Sequence, residues 1–196
     1  MELVFRILLL LLFIGFIANR AYTTRKAEAA GTTAQKERAD TPLLKLANLL
    51  ALPALMGTLA AVFSPRWMAW AALDLPDWAR WAGLGVALAG FALLQWAQVT
   101  LGKNWSDRPR LLAGQELVTG GPYHWVRHPI YTAFLMILGS MLLISANWFV
   151  GGLWLAMTGI EVAARVKYEE SLLAETFGKA YESYAATTGR LLPRLL

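Results

Sequence analysis

The chain contains no cysteine among its 196 residues, so it can hold neither a disulfide framework nor a thiolate metal site. Charge is scarce too: Asp, Glu, Lys and Arg make up 16% of the sequence, against roughly a quarter in soluble domains. That deficit excludes an ordinary soluble globule. Histidine occurs only twice, at His124 and His128, and no third ligand lies nearby in the sequence to complete a metal site. What is abundant is apolar: 57% of the residues are hydrophobic and nine are tryptophan. The formal charge of +5 need not mean nucleic acid, since Lys and Arg gather on one face of a membrane protein and no basic groove with stacking aromatics is visible. The length suits a single domain over residues 1–196, with no room for a separate soluble catalytic unit.

Five apolar segments are expected to cross a membrane, each near the roughly 20 residues that a spanning helix needs. They run over about 3–18, 43–63, 78–101, 129–145 and 148–166, which makes the fold an all-α integral membrane bundle of five transmembrane helices. Thr41 before Pro42 reads as a cap ahead of a proline at the first helical position, and Asp77 reads as the cap of the third segment. Only Ala146 and Asn147 separate the last two segments, which dictates a tight antiparallel hairpin. The first segment reads as a retained anchor rather than a cleaved leader, because Arg20, Arg25 and Lys26 follow it and oppose translocation.

Orientation follows from charge. Residues 19–45, the 101–129 loop and the tail from Arg165 hold fifteen of the eighteen basic residues, which puts the N-terminus outside and the C-terminus in the cytoplasm. Trp67, Trp70, Trp78, Trp81 and Trp148 would form an aromatic belt at the outer boundary. Gly83, Gly85, Ala89, Gly151, Gly152 and Gly159 are expected where helices pack closely, and Pro53 is expected to kink the second helix. Residues 20–40 read as a polar connector of modest order.

Polar residues concentrate at 101–131 and 165–193, and these two stretches are where chemistry can sit. His124 and His128 are spaced for one helical face, but Gly120-Gly121-Pro122 and then Pro129 oppose a continuous helix there. In the tail, Arg165 and Glu169 share a helical face. Alone, they are open to reading as a surface ion pair or as the lining of a polar cavity at the end of a membrane span. Glu161 lies deeper and is expected to face the bundle interior.

The stretch GGPYHWVRHPIY, followed across a helical hairpin by RVKYEESLLAETFGKAYESYAATTGRLLP, resembles the isoprenylcysteine carboxyl methyltransferase family. That family is grouped with the membrane phospholipid N-methyltransferases. The resemblance covers about Leu117 to Pro193 and rests on Arg-His-Pro-x-Tyr, Glu-Glu and Phe-Gly-x-x-Tyr at these separations. It implies S-adenosyl-L-methionine as the cofactor, bound by a cytoplasmic loop and a helical tail without a Rossmann domain. By similarity, the pocket is built from Gln115, Glu116, Leu117, Val118, Tyr123, His128, Pro129, Ile130 and Tyr131, and closed by Glu169. Glu170 would orient Glu169 or cap its helix. Arg165 falls where the family places an arginine that engages the substrate carboxylate, and no metal is implied.

The expected partners are lipids and a lipophilic methyl acceptor that enters from the bilayer, with no nucleic acid. The expected activity is methyl transfer to the carboxylate of a prenylated cysteine or a similar lipophilic acid, which is ionised at neutral pH and needs no general base. Competing functions are phospholipid N-methyl or thiol S-methyl transfer, in which Glu161 or His124 would have to take a proton, and a non-catalytic membrane scaffold.

Overall fold

The computed structural model describes residues 2–29, 41–104 and 116–194, and in these the chain is helical. Six α-helices follow in order: α1 (Glu2–Ala29), α2 (Pro42–Phe63), α3 (Asp77–Leu101), α4 (Pro129–Ser145), α5 (Trp148–Phe177) and α6 (Lys179–Thr187). Short 3₁₀ turns at Pro65–Ala71, Gly102–Asn104 and Gly121–His124 join them.

The helix starts follow local chemistry. Thr41 accepts a hydrogen bond from the Leu44 N–H with Pro42 at the first helical position, as expected. Asn147 caps α5 by accepting from the Val150 N–H at 3.1 Å, while its amide donates to the Met68 carbonyl at 2.9 Å. Asp77 is not a cap. Pro76 holds that position, and Asp77 stands in the first turn, where its charge still meets the positive end of the helix. Ala146 makes the α4–α5 reversal in the left-handed region, at φ 46°. The hairpin is as tight as two connecting residues require.

Two elements run past their expected ends. The helix of the first segment continues through residues 19–29, half of the stretch expected to be a loose connector, and residues 30–40 lie outside the described residues. Helix α5 continues eleven residues past Val166 to Phe177. Apolarity ends where the bilayer ends, but a helix need not, because Lys, Glu and Ala continue it in water. Pro53 sits inside α2, which runs on through it.

Four helices, α1, α2, α3 and α5, are long and apolar enough to cross a membrane, and the shorter α4 has 17 residues. The chain is an integral multi-pass membrane protein. Helix α4 is nonetheless central: Ile137, Met141 and Ile144 are fully buried between α3, α5 and α1. Helix α3 meets it along Ala79, Gly83, Ala87, Gly90, Leu94 and Ala97, a buried stripe of mostly small residues at three- and four-residue spacing. A Cβ on Gly90 would stand 2.8 Å from Ile137, and one on Gly83 2.7 Å from Leu143. A Cβ on Gly151 would enter the Leu142 backbone. Gly83 and Gly151 thus pack as expected. Gly85, Gly152 and Gly159 instead have open space where a side chain would go, and Ala89 is exposed; they lie off the contact stripes.

The five tryptophans expected to form a belt are exposed at one end of the bundle, where Trp70 packs edge-on against Trp148 with ring centroids 5.3 Å apart.

Candidate active site

At the opposite end, three pieces of chain converge: the 121–131 turn and start of α4, the last turns of α5, and α6 with the segment after it. Gly121, at φ +57°, opens the turn. A side chain there would strike Thr100 Oγ1 at 2.8 Å, so only glycine lets the turn lie against α3. Buried Pro122 and Tyr123 follow. The Tyr184 hydroxyl of α6 donates to the Tyr123 carbonyl at 2.6 Å, which ties α6 to the turn. Burial drives the Tyr123 hydroxyl pKa well above 10, with the Glu169 charge acting in the same direction, and burial pushes Tyr184 up to about 12. Neither phenol titrates near neutral pH.

Beyond α6 the chain turns back beside residues 126–128. Val126 and Gly189 form a parallel bridge, the Arg127 N–H donates to the Gly189 carbonyl at 2.8 Å, and the His128 N–H donates to the Arg190 carbonyl at 3.1 Å. Thr132 Oγ1 adds a bond to the Leu191 carbonyl at 2.6 Å. The Arg127 guanidinium fastens the layers: Nε and Nη2 donate to Glu170 at 3.0 and 2.9 Å, and Nη1 donates to the Ala185 and Thr188 carbonyls. Arg190 donates to Glu170 from the other side at 3.1 and 2.5 Å. Two arginines therefore consume the Glu170 carboxylate.

Glu169 is spent differently. Tyr131 donates its hydroxyl to Glu169 Oε1 at 2.5 Å, and His128 Nδ1 lies 3.4 Å from Oε2. The His128 and Tyr131 rings are 5.8 Å apart at 35°, and Phe134 continues the aromatic wall. His128 is buried, and its Nε2, 3.5 Å from Glu170, forms no hydrogen bond. Burial lowers the His128 pKa, but the adjacent Glu169 and Glu170 carboxylates outweigh it, so the net shift is upward from 6.5. One turn before Glu169, half-buried Arg165 carries a buried Nε that likewise has no partner. The end of α1 borders this region: Asn19 and Gln98 exchange side-chain hydrogen bonds at 3.2 and 3.3 Å, and Arg20 lies 5.6 Å over the Phe134 ring.

The structure thus gathers Tyr123, His128, Tyr131, Arg165, Glu169 and Glu170 from stretches up to 47 residues apart in number. Pro129 is buried at the first position of α4, and Ile130 packs on the core. Glu116 donates its N–H to Asn104 Oδ1 at 3.1 Å, which holds the half-buried Leu117 and Val118 beside the end of α3. Gln115 lies outside the described residues. The two histidines part company: His124 is exposed against Trp125, and His128 is buried among carboxylates. Sequence reasoning missed Arg127, Arg190 and Tyr184. Arg127 is the arginine of the Arg-His-Pro-x-Tyr motif, but nothing in the sequence marks it as the partner of Glu170; Arg190 carries no local signal.

The protein-family model for isoprenylcysteine carboxyl methyltransferase matches residues 83–175, from the packing stripe of α3 through both site carboxylates. Over that stretch the chain is similar to this family. The Arabidopsis thaliana protein-S-isoprenylcysteine O-methyltransferase B is 32% identical over 110 residues, covering 53% of each chain. A methanethiol S-methyltransferase from Pseudomonas deceptionensis is 38% identical over 74 residues, covering 37% of this chain and 27% of that one. The solved structure of the eukaryotic intramembrane Ras methyltransferase, an isoprenylcysteine carboxyl methyltransferase, superposes with a TM-score of 0.57 at 24% identity. It covers 79% of this chain and 53% of that one, and establishes the fold. This chain therefore spans about half the length of the plant relative and of the solved structure.

Proposed function

We propose that this protein is an S-adenosylmethionine-dependent methyltransferase that esterifies the carboxylate of a prenylated cysteine or a similar lipophilic acid at the membrane. The observation that carries the reading is Arg165: a guanidinium whose buried Nε has no hydrogen-bond partner among the described residues, one helical turn from Glu169 and near enough for its charge to act on Tyr131. A buried donor without an acceptor costs about 1–3 kcal/mol, which an incoming carboxylate would recover. The reacting nitrogen of an amine or sulfur of a thiol offers a guanidinium no such two-oxygen partner.

The residues also suit the cofactor. Glu169 presents a carboxylate to its hydroxyls or ammonium group, and Tyr131 and His128 give its base an aromatic wall. Glu116, Leu117, Val118, Tyr123, Pro129 and Ile130 would complete the cradle, with Gln115 assigned to it by similarity of sequence alone. When bound, the cofactor supplies an electrophilic methyl group. The protein's part is positioning: Arg165 aims the acceptor oxygen in line with that methyl, and the α6 strap excludes water. No general base is required, because the acceptor is already ionised. Glu170 acts through structure, holding α5, α6 and the returning segment together.

In this reading α4 is a fifth span, since 17 residues is the lower limit for crossing. The N-terminus lies outside, and the site faces the cytoplasm, where the basic residues collect. The chain works as one domain, and its acceptor enters laterally from lipid. Transfer to a thiol is the second reading, favoured by the similarity to methanethiol S-methyltransferase.

Arg165→Lys separates the two. Lys keeps the charge but loses the two-pronged geometry, so kcat/KM on a prenylcysteine acid should fall roughly ten- to a hundred-fold, about 1.5–3 kcal/mol. Cofactor affinity should hold. Loss of cofactor binding would place Arg165 in the cofactor site instead, and unchanged turnover would leave the carboxylate reading without its main support.

A further inference from the structure

The tryptophan-ringed end of the bundle holds a cavity of about 260 Å³, far from the site just described. It opens between the start of α1, the end of α2, the loop before α3 and the α4–α5 turn. Two arginines line it, and their charges are handled differently. Buried Arg80 donates to the Ile144 carbonyl at 3.0 and 3.2 Å, pairs with the Glu2 carboxylate, and stacks 4.0 Å above the Phe5 ring. It is fully compensated. Among the described residues Arg6 donates only to the Val62 carbonyl, at the end of α2, with Nε at 2.6 Å. Glu2 stands one turn before Arg6 on the same helix face, yet its carboxylate is given to Arg80. Among the described residues no carboxylate pairs with Arg6. In the lining of the same cavity, the exposed Asp74 has neither a hydrogen bond nor an ion pair among the described residues.

A single cavity thus presents one uncompensated cation and one uncompensated anion that are not joined to each other. An unpaired guanidinium on a membrane-spanning helix is costly unless an anion meets it, and at the aromatic belt the abundant anion is lipid phosphate. A purely anionic headgroup would answer Arg6 but stand against Asp74. A phosphate carrying a primary ammonium group answers both. The volume falls below the roughly 300–1,000 Å³ of drug-sized pockets, as suits a headgroup whose chains lie outside, and Leu9 and Met68 give its floor an apolar surface.

We infer that this cavity is a binding site for a phospholipid of the phosphatidylethanolamine class, with its phosphate on Arg6 and its ammonium on Asp74. It is a structural lipid site, not the acceptor site. Helix α4 separates the two ends by roughly 25 Å at 1.5 Å per residue.

The test is native mass spectrometry of the full chain released from nanodiscs that contain equal phosphatidylethanolamine and phosphatidylglycerol in a phosphatidylcholine background. The wild-type protein should retain the ethanolamine lipid at least fivefold over the glycerol lipid. Arg6→Gln, which keeps a donor for the Val62 carbonyl, should abolish that retention. Asp74→Asn, on an exposed loop where folding is not at risk, should reverse the preference toward phosphatidylglycerol. Equal retention of both lipids by the wild type, or unchanged selectivity in Asp74→Asn, overturns the proposal. Displacement of the bound lipid by soluble glycerophosphoethanolamine would assign the cavity to a free small zwitterion and overturn the lipid source.

Discussion

At the scale of single residues, the two neighbouring carboxylates illustrate how one helix turn divides labour. Glu170 is saturated by Arg127 and Arg190, whereas Glu169 takes one short bond from Tyr131 on one oxygen and a longer 3.4 Å contact with His128 on the other, which leaves more of its capacity for a ligand. Glu169→Gln should weaken S-adenosylmethionine binding by about 1.5–3 kcal/mol, the value of a charged hydrogen bond, read by calorimetry. A larger loss in Glu170→Gln, with the fold intact, would reverse the assignment. His128 supplies a pH prediction. Its folded pKa is raised above 6.5, so it adds stability that is complete below the unfolded value and lost as pH rises through the folded one. The ligand-free protein should therefore melt higher at pH 6 than at pH 8, and His128→Gln should flatten that difference. The facing groups are Glu169, Glu170, Arg127 and Tyr131. What the sequence showed at this scale was local: Arg165 and Glu169 share a face because they are four apart. Arg190 was invisible because its partner lies 20 residues away across a turn that no periodicity announces.

At the scale of elements, spacing sets the α3–α4 contact and tail bonding sets the site. Gly90 touches Ile137 and Gly85 touches nothing, though both are glycines of one apolar helix. Gly90→Val should destabilise the bundle by about 1–3 kcal/mol through overpacking, and Gly85→Val should leave the melting temperature nearly unchanged. Equal effects would mean that the register between α3 and α4 is wrong. Arg127→Gln should cost up to about 3 kcal/mol, the low end for breaking a buried pair, because Arg190 still holds Glu170. Its signature would be faster proteolysis within 178–190, where α6 and the returning segment lose their anchor. Caps such as Thr41 and hairpins such as Ala146-Asn147 were legible because their cause is local. The length of α5 was not, because hydropathy reports where lipid ends and says nothing of where a helix stops.

At the scale of the molecule, polarity separates two ends: a tryptophan-ringed end with Arg6 and Arg80, and a carboxylate- and arginine-rich end where the family motif folds together. Membrane residence and the likeness to the family were both readable, the first from composition and the second from three spaced motifs. The acceptor was not, because an entrance from the bilayer would be apolar and look like any other lipid-facing surface. The proposed orientation is open to single-cysteine labelling in this cysteine-free chain. An impermeant reagent added outside intact cells should modify Ala69→Cys and spare Ser183→Cys, and the opposite pattern would invert the topology. The central claim, methyl transfer to a lipophilic carboxylate, is tested most directly by the chemistry of the product. Purified protein in nanodiscs would be given methyl-labelled S-adenosylmethionine together with a prenylcysteine acid, a lipid amine and a small thiol. The account predicts label in the prenylcysteine as a methyl ester, released as methanol by mild base. Label that survives base in a thioether or a methylated amine, with none in the ester, would contradict it.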